Sequence, residues 1–537
     1  VSNLPSVMKH DFAKVPNVNI PRSKFDRSHG LKTTFDAGYL VPILVDEVLP
    51  GDTTNLRLNV FARLATPIKP VMDNMYLDTF FFFVPSRLLW TNWERFMGAQ
   101  DDPGDSVAYT IPTIPCPDNG PEVGTLGDYF GLPTDVSNGP YSVNALPFRA
   151  YNLIYNQWFR DQNLQDSVVV DLDNGPDTYA DYVLLRRGKR HDYFTSCLPW
   201  PQKATAVSLP VGATSAPVTL VPYTTSTNAM LFRKASDDTL ISGGDTMGVN
   251  NPASEIKTVS GGVPGVIDPN SRLIADLSTA FATTINDLRE AFALQSLYER
   301  DARGGTRYIE IINSHFGVTS PDARLQRAEY LGGGSSPINI HPVPQTSPTS
   351  GSNAQGQLAG FGTASFSGHG FNKSFTEHGY IIGLASVRAD LTYQTGLHKM
   401  WSRSTKEEFY WPTLANLGEQ AVLNKEIYLD VADGSGASQK DGVFGYQERY
   451  AEYRYKPSQI TGIFRSTYTA PLDSWHLSQE FGSLPALDET FIVEDPPVDR
   501  VIAVTSEPHM LMDAYFQYIC ARAMPVYSYP AQIGGRF

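Results

Sequence analysis

The sequence predicts a mainly β protein, an elaborated antiparallel sandwich whose helices lie only in excursions between strands. Three observations carry this expectation. Short segments rich in Val, Ile, Leu and aromatic residues recur along the chain. Glycine and proline, 43 and 39 of 537 residues, punctuate them, and aromatics make up 12%. β-Branched and aromatic side chains suit pleated, half-buried surfaces, while Gly and Pro supply the turns that many short strands need.

Taken in order, residues 35–48 form an extended Val/Ile/Leu-rich stretch that ends in the turn Leu49-Pro50-Gly51-Asp52. Leu56, Leu58, Val60 and Leu64 alternate with Arg57, Asn59 and Arg63, which predicts a strand with one buried face. The segment 77–84 holds four consecutive phenylalanines, Phe80 to Phe83. Both faces of that strand have to be covered, as between sheets or beneath helices. Ser86 is placed to cap a short helix with Leu89, Trp90, Trp93, Phe96 and Met97 on one side. Residues 100–147, dominated by Pro, Gly, Asp and Asn, read as a long excursion. Helical spacing returns over 148–160, with Tyr151, Ile154, Tyr155 and Trp158 in step.

Residues 203–272 differ from their surroundings. Ser, Thr, Gly, Ala and Pro fill them, and five cations balance five anions. They read as a surface insertion, either a projecting module with a little sheet of its own, which the β-prone pieces favour, or a disordered segment. The stretch 276–334 then predicts packed helical connections. Phe281, Ile285, Leu288 and Phe292 form an apolar stripe that must dock on something. Full burial would contribute at most roughly 6–12 kcal/mol. A second helix is expected to start at Ser320 with Pro321 in its first turn and to end at Gly332. Residues 351–370 read as a second Gly/Ser-rich loop. Further strands are expected at 379–393, 420–429, 446–455, 460–464, 490–493, 500–505 and 510–519. The chain thus divides into an arm (1–34), the first part of a body (35–202), the insertion (203–272) and the second part of the body (273–537).

Composition restricts function. Charged residues make up 18%, below the usual ~25%, as for a surface that partners cover. A net charge of -14 argues against a large nucleic-acid-binding face. The first 34 residues reverse the balance, with Lys9, Lys14, Arg22, Lys24, Arg27 and Lys32 against Asp11 and Asp26, six cations to two anions. This is either a solvated terminus or a binding arm. Three widely spaced cysteines, Cys116, Cys197 and Cys520, form no CxxC pair and suggest neither a zinc site nor a disulfide framework. No run is long and apolar enough to span a membrane, and the beginning of the sequence lacks a secretion-signal core, so a soluble protein is expected.

Catalytic signals are weak. Gly368-His369-Gly370-Phe371-Asn372-Lys373-Ser374 matches a phosphate loop only at its Lys-Ser end. Glu377 and His378, near His369, lack the His-x-His pair of a metal-binding jelly roll. Glu407-Glu408 and Asp101-Asp102 are adjacent acids of the solvated kind rather than a glycosidase pair. No catalytic residue, cofactor or metal ligand is therefore expected. The most distinctive polar-aromatic run is 446–455. On a strand, Tyr446, Glu448, Tyr450, Glu452 and Arg454 would share one face, with Arg449, Tyr453 and Tyr455 on the other. Tyrosines alternating with opposite charges suit a packed subunit interface, or a strand whose long side chains pack locally.

Several segments together carry a resemblance. They include Arg22-Ser23, Phe25-Asp26-Arg27-Ser28, Leu49-Pro50-Gly51-Asp52-Thr53, Phe82-Phe83-Val84-Pro85-Ser86-Arg87, Ala150-Tyr151-Asn152 and Trp158-Phe159-Arg160-Asp161. Later come Phe194-Thr195-Ser196, Arg303-Gly304-Gly305-Thr306-Arg307-Tyr308, Phe316-Gly317-Val318 through Gln326-Arg327, Phe444-Gly445-Tyr446-Gln447-Glu448-Arg449 and Trp475-His476-Leu477. As a set they resemble the major capsid protein of microviruses, specifically the gokushovirus branch. The resemblance implies a single eight-stranded antiparallel jelly roll with long helix-containing insertions. It implies pentamers that build a T=1 icosahedral shell around a circular single-stranded DNA genome, in virions assembled in the bacterial host cytoplasm. Further implied partners are a small basic DNA-packaging protein, a minor pilot protein and a host surface receptor met by the 203–272 insertion at the three-fold axes. If the arm faces inward, Lys9, Lys14, Arg22, Lys24 and Arg27 would neutralise phosphates, and Phe12 or Phe25 would stack on bases. The competing classes are a trimeric adhesin and a carbohydrate-active β-sandwich enzyme.

Overall fold

The computed structural model describes residues 22–527 apart from 107, 138, 206–217, 221–231, 237–238, 240–246, 251–254, 259–263, 268–272, 276–284, 305–307, 317–325, 352–353 and 431–438. The chain forms two compact units, one from residues 1–201 and 306–537 and the other from 202–305.

The first unit is built on nine strands: β1 (Ser23–Asp26), β2 (His29–Phe35), β3 (Val41–Val48), β4 (Thr53–Leu64), β5 (Met75–Pro85), β6 (Glu329–Pro344), β7 (Leu358–Ser374), β8 (Gly379–Ala389) and β9 (Met510–Arg522). They form one curled antiparallel path in the order β1-β9-β4-β7-β6-β5-β8-β3, with β2 also on β9. Because β1 and β2 follow one another along β9, the nine segments fill eight strand positions. β6 turns the corner: its first part pairs with β5 and its last part with β7. The two halves of the path enclose the main core, where Leu56, Leu58, Phe516 and Tyr518 meet Phe81, Phe83, Ile381 and Val387. This is the jelly-roll β-sandwich.

The four phenylalanines are explained by both coverings at once. Phe81 and Phe83 point into the main core. Phe82 and Val84 point the other way, with Tyr380, Ile382 and Leu384 of β8, and are covered by Leu146, Phe148, Tyr151 and Ile154 of helix α1 (Leu146–Ile154). α1 starts with Pro147 in its first turn, where no amide donor is needed. It runs into a π turn at Tyr155–Phe159 and stops at the extended Arg160. A satellite cluster built by the later excursions holds Tyr193, Phe194, Tyr393, Ile427, Phe444 and Phe491.

Several expectations are corrected. The stretch 35–48 is two strands broken at 36–40, not one. Residues 329–331 and Gly332 are not a helix end but part of β6. The helix in this region is α3 (Tyr308–Phe316), while Ser320 and Pro321 lie outside the described residues. The glycine run suits a strand because it lies flat on the phenylalanine strand: a Cβ on Gly333 would stand 2.0 Å from the Thr79 carbonyl oxygen. The expected loop 351–370 is strand from Leu358 onward for the same reason, since a Cβ on Gly370 would stand 2.0 Å from the Leu56 carbonyl oxygen. Ser86 does not cap a helix. It opens a 3-10 turn without a side-chain cap bond, and the helical turn that follows is Trp93–Phe96.

Other strands prove shorter or helical. The 420–429 strand ends at Leu423 and gives way to the helical turn Asn424–Ile427. Residues Glu489–Ile492 form a helical turn capped by Asp488, whose carboxylate accepts the Phe491 N–H. The 460–464 and 500–505 segments are 3-10 turns and coil. Ile492, Val501 and Ile502 in these segments are buried, while Ile463 and Val504 are about half exposed, and Ile502 makes only an isolated bridge to Pro67.

The second unit contains three nested antiparallel pairs, Val218–Leu220 with Leu273–Ala275, Phe232–Lys234 with Gly265–Ile267, and Met247–Asn250 with Glu255–Thr258. It also contains helix α2 (Ile285–Arg303). The apolar stripe expected there is not docked among the described residues. Phe292 is 65% exposed and Leu288 36%, while Phe281 lies outside the described residues.

Candidate assembly and nucleic-acid surfaces

The sequence-predicted basic residues separate into groups. Lys9, Phe12 and Lys14 lie outside the described residues. Arg22, Lys24 and Phe25 sit on or beside β1 at the sheet edge, where Phe25 pairs with Cys520 across β9. Residues 22–35 are thus sheet rather than a free terminus. The Arg22 guanidinium donates to Thr53 Oγ1 at 2.9 Å and to the Ala521 carbonyl oxygen at 3.3 Å, while Lys24 is exposed. Arg27 is committed internally. It grips Asp46 with both arms of its fork and lies 5.1 Å from the Tyr518 ring centre, and Tyr518 Oη donates to the same carboxylate. The bond to Asp46 holds the Arg27 guanidinium above its ordinary pKa. Burial, followed by the Asp46 charge, pushes the Tyr518 hydroxyl well up.

The 446–455 run does not present two alternating faces. The strand ends at Glu448; Tyr450 adopts a left-handed conformation (φ 62°) and Ala451–Tyr453 form a 3-10 turn. Tertiary hydrogen bonds explain the break: the Tyr450 N–H donates to Gln420 Oε1 at 3.1 Å, and its hydroxyl donates to the Glu407 carbonyl oxygen at 3.0 Å. Tyr450 and Glu452 therefore turn inward and Tyr453 outward. Burial alone would raise the Glu452 carboxyl, but hydrogen bonds from Arg403 (2.8 Å) and Gln420 (2.5 Å) outweigh it and hold the group below its ordinary value. Tyr446 makes a bridge to Leu198, Arg449 donates to the Glu407 carbonyl oxygen at 3.2 Å, and Arg454 pairs with Glu448.

Around that turn lies a continuous aromatic surface. Tyr410 is 5.3 Å from the Tyr450 ring and 6.3 Å from Tyr453, and the Arg403 guanidinium stands 4.2 Å over Tyr453 and 5.4 Å over Phe409. Phe409, Tyr410, Trp411 and Tyr453 are each about half exposed. Residues 409–411 escaped sequence reading because no regular period marks them.

The weak catalytic motifs take structural places. His369 engages Thr79 Oγ1 at 2.9 Å and Ser336 Oγ at 3.1 Å and stacks on Phe366. Glu377 binds Arg87 at 2.7 Å, and Lys373 binds Glu329 at 2.6 Å. Glu408 accepts the Thr405 N–H at the start of a 3-10 turn, and Asp101 lies beside Arg95. Among the described residues no group of three or more His, Cys, Asp or Glu side chains is placed to hold a metal, and all three cysteines are buried and unpaired.

Sequence reading also missed a groove at the end of α1, where Trp158 and Arg160 face the run Arg187-Gly188-Lys189-Arg190-His191. That run, denser in cations than the arm, was the available signal.

An eight-position antiparallel sandwich elaborated by long excursions, one of which exposes an aromatic patch edged with arginine, defines the class as a jelly-roll protein, an architecture shared by viral shell subunits, lectins and cupins. Comparison with known proteins narrows it. The family model described as capsid protein (F protein) matches residues 13–532, and the chain belongs to that family. It is 51% identical over 537 residues to capsid protein VP1 of Bdellovibrio phage phiMH2K, covering 98% of both chains. It is 45% identical over 589 residues to capsid protein VP1 of Chlamydia phage 1, again covering 98% of both. To capsid protein VP1 of Spiroplasma virus 4 it is 39% identical over 545 residues, covering 97% of both. The protein is thus a major capsid protein of the kind found in Microviridae-like single-stranded DNA phages, a virion component that assembles with itself into a shell, and not an enzyme. No helix among the described residues is long and apolar enough to cross a membrane.

Proposed function

We propose that the chain forms pentamers, and from them a closed T=1 shell, around a circular single-stranded DNA genome in the host cytoplasm. The observation that carries this reading is the aromatic patch of Phe409, Tyr410, Trp411 and Tyr453, held in place by the buried Arg403–Glu452 pair. Aromatic side chains edged by arginine are the composition of an interface core, and a contiguous patch of this kind is a liability on a solitary chain. The exposed Arg454–Glu448 pair and Tyr446 belong to the rim of the same contact, with Arg449, Tyr450 and Glu452 supporting it from beneath. Lys9, Lys14, Arg22 and Lys24, with Phe12 and Phe25, serve the genome at the inner wall, beside a small basic packaging protein; Arg27 contributes less because Asp46 already holds it. The 203–272 insertion projects at the three-fold axes and meets the host receptor, and a minor pilot protein completes the particle.

Sedimentation and electron microscopy of the full chain test this. Closed shells or pentamers are expected from the parent. Tyr410→Asp with Tyr453→Asp should leave folded chains that fail to close. Lone chains from the parent under virion-like conditions, or shells from the double variant, would refute the reading.

A further inference from the structure

At the end of α1, arginines without acidic partners and open aromatic faces meet in one groove of about 650 Å³. The π turn Tyr155–Phe159 puts both Trp158 and Phe159 onto the phenylalanine strand. Phe159 packs edge-on at 5.2 Å from Phe80, and Trp158 lies 5.5 Å from Phe82 and 6.0 Å from Tyr330. The indole is clamped: Trp158 Nε1 donates to the Ala328 carbonyl oxygen at 2.9 Å, and the Ala328 N–H donates to Gln157 Oε1 at 2.8 Å. Even so, Trp158 is 38% and Tyr330 43% exposed, and the Arg327 guanidinium stands 5.3 Å from the Trp158 ring.

The cations that line the groove are not equivalent. Arg187 is held by Asp78 at 2.7 Å, and Lys189 donates to the Phe491 carbonyl oxygen at 2.7 Å, so both belong to the frame. Among the described residues neither Arg160 nor Arg190 has a carboxylate partner. Arg160 spends one N–H on the Gln165 carbonyl oxygen, and its Nε is buried without an acceptor. Arg190 is exposed. The one carboxylate in the lining is Asp161, which already accepts the Asn163 N–H.

We infer that this groove seats a nucleotide of single-stranded DNA, its base on the faces of Trp158 and Tyr330 and its adjoining phosphates at Arg160, Arg190 and Arg327. This rests on the proposal that the shell encloses such a genome. Every base offers a π face, so stacking tolerates any sequence packed against it, and the planar arginine fork matches a phosphate in two-pronged fashion. A volume of this size suits a small-ligand site. Stacking requires an unpaired base, so a duplex cannot use the groove. The overall acidity does not oppose it, because screening beyond about 10 Å at 0.1 M salt leaves the local balance in control.

Binding of oligothymidylate to the full chain, followed by anisotropy across a salt series, tests the inference. Arg160→Gln with Arg190→Gln should weaken binding on the order of ten-fold and reduce the salt slope by about 1.4, two phosphates at ~0.7 each. Trp158→Leu should weaken it by a similar factor, while Trp158→Phe, which keeps a ring, should retain most of it; unchanged melting of each variant shows that the fold is intact. In particles loaded with 5-bromouracil-containing single strands, ultraviolet crosslinks should map to 155–160 or 326–331. An unchanged salt slope, equal binding by an abasic phosphodiester strand or by a duplex, or crosslinks only elsewhere would overturn the groove. Particles that form without DNA would instead overturn the enclosure reading, and the oligothymidylate measurement would still decide the groove.

Discussion

Removing Arg149 should destabilise the body by about 3–5 kcal/mol, because it strips the partner from a carboxylate with no access to water. The side chains of Arg149 and Asp177 are both fully buried, and Arg149 Nε donates to Asp177 Oδ2 at 2.8 Å. Arg149 also donates to the carbonyl oxygens of Leu89 and Asp173, each at 3.0 Å, and Tyr182 Oη donates to Asp177 at 2.6 Å. One residue of α1 thereby ties together the helix, the turn after β5 and the 173–182 loop. In Arg149→Met the methylene stem still fills space, but Asp177 keeps only the tyrosine, and the buried Leu89 carbonyl and the part-buried Asp173 carbonyl lose their donor. The body has about 430 residues. At ~2.1 cal/mol/K per residue its unfolding entropy is about 0.9 kcal/mol/K, so the melting temperature should fall by about 3–6 °C. Calorimetry on unassembled chains at fixed concentration measures this. Arg149→Met with Asp177→Leu should recover most of the loss, since a packed apolar pair removes both charges together. A single variant within about 1 kcal/mol of the parent, or two single losses that simply add in the double variant, would refute the reasoning.

Three further outcomes follow from the same geometry. Burial raises the Glu494 carboxyl above its ordinary value, so the stability it contributes is complete below about pH 4.5 and is lost as pH rises through the folded-state value. Glu494→Gln, which keeps the bond from the Ala389 N–H, should remove that loss and leave the variant more stable than the parent at pH 7 in urea melts. Gly370→Ala should cost at least the ~1–3 kcal/mol typical of overpacking, read as a lower melting temperature or lost soluble yield, because the new methyl meets backbone in the β4–β7 pair. Burial raises the thiols of Cys116, Cys197 and Cys520, so a thiol reagent at pH 8 should label none of them in the native chain and all three after unfolding.

The sequence showed most clearly those strands whose side chains themselves report two-sided or alternating burial. β4 and the phenylalanine strand β5 were legible for that reason, as was β9, where alternate residues from Met510 to Cys520 are buried. β6 and the first half of β7 were not, because glycines required by close backbone approach look the same as glycines required by turns. Short apolar runs such as 490–493 and 500–505 have the composition of strands, yet their buried members Ile492, Val501 and Ile502 sit in or beside helical turns. In the 446–455 run, bonds that Tyr450 donates to Gln420 and to Glu407, distant in sequence, fix a left-handed tyrosine that no local period signals. Arg27 reads in the sequence as one more cation of the arm, and only the fold sets Asp46 and Tyr518 beside it. The groove at Trp158 draws on 158–160, 187–191 and 327–330, and only the fold brings these segments together.

The two surfaces rest on different parts of the core. The aromatic patch stands on the turn after Glu448, over the satellite cluster that includes Ala451 and Phe444. The groove stands on the outer face of β5 and β8, where Phe82 belongs both to the cluster under α1 and to the wall beneath Trp158. A strand covered on both faces cannot shift without opening two cores, so whatever stacks on Trp158 meets a fixed platform rather than a mobile loop. This accounts for the cost of placing four phenylalanines in succession. Phe81 and Phe83 hold the sandwich together, while Phe80 and Phe82 carry the aromatic wall outward to the place where Arg160 and Arg190 lack acidic partners.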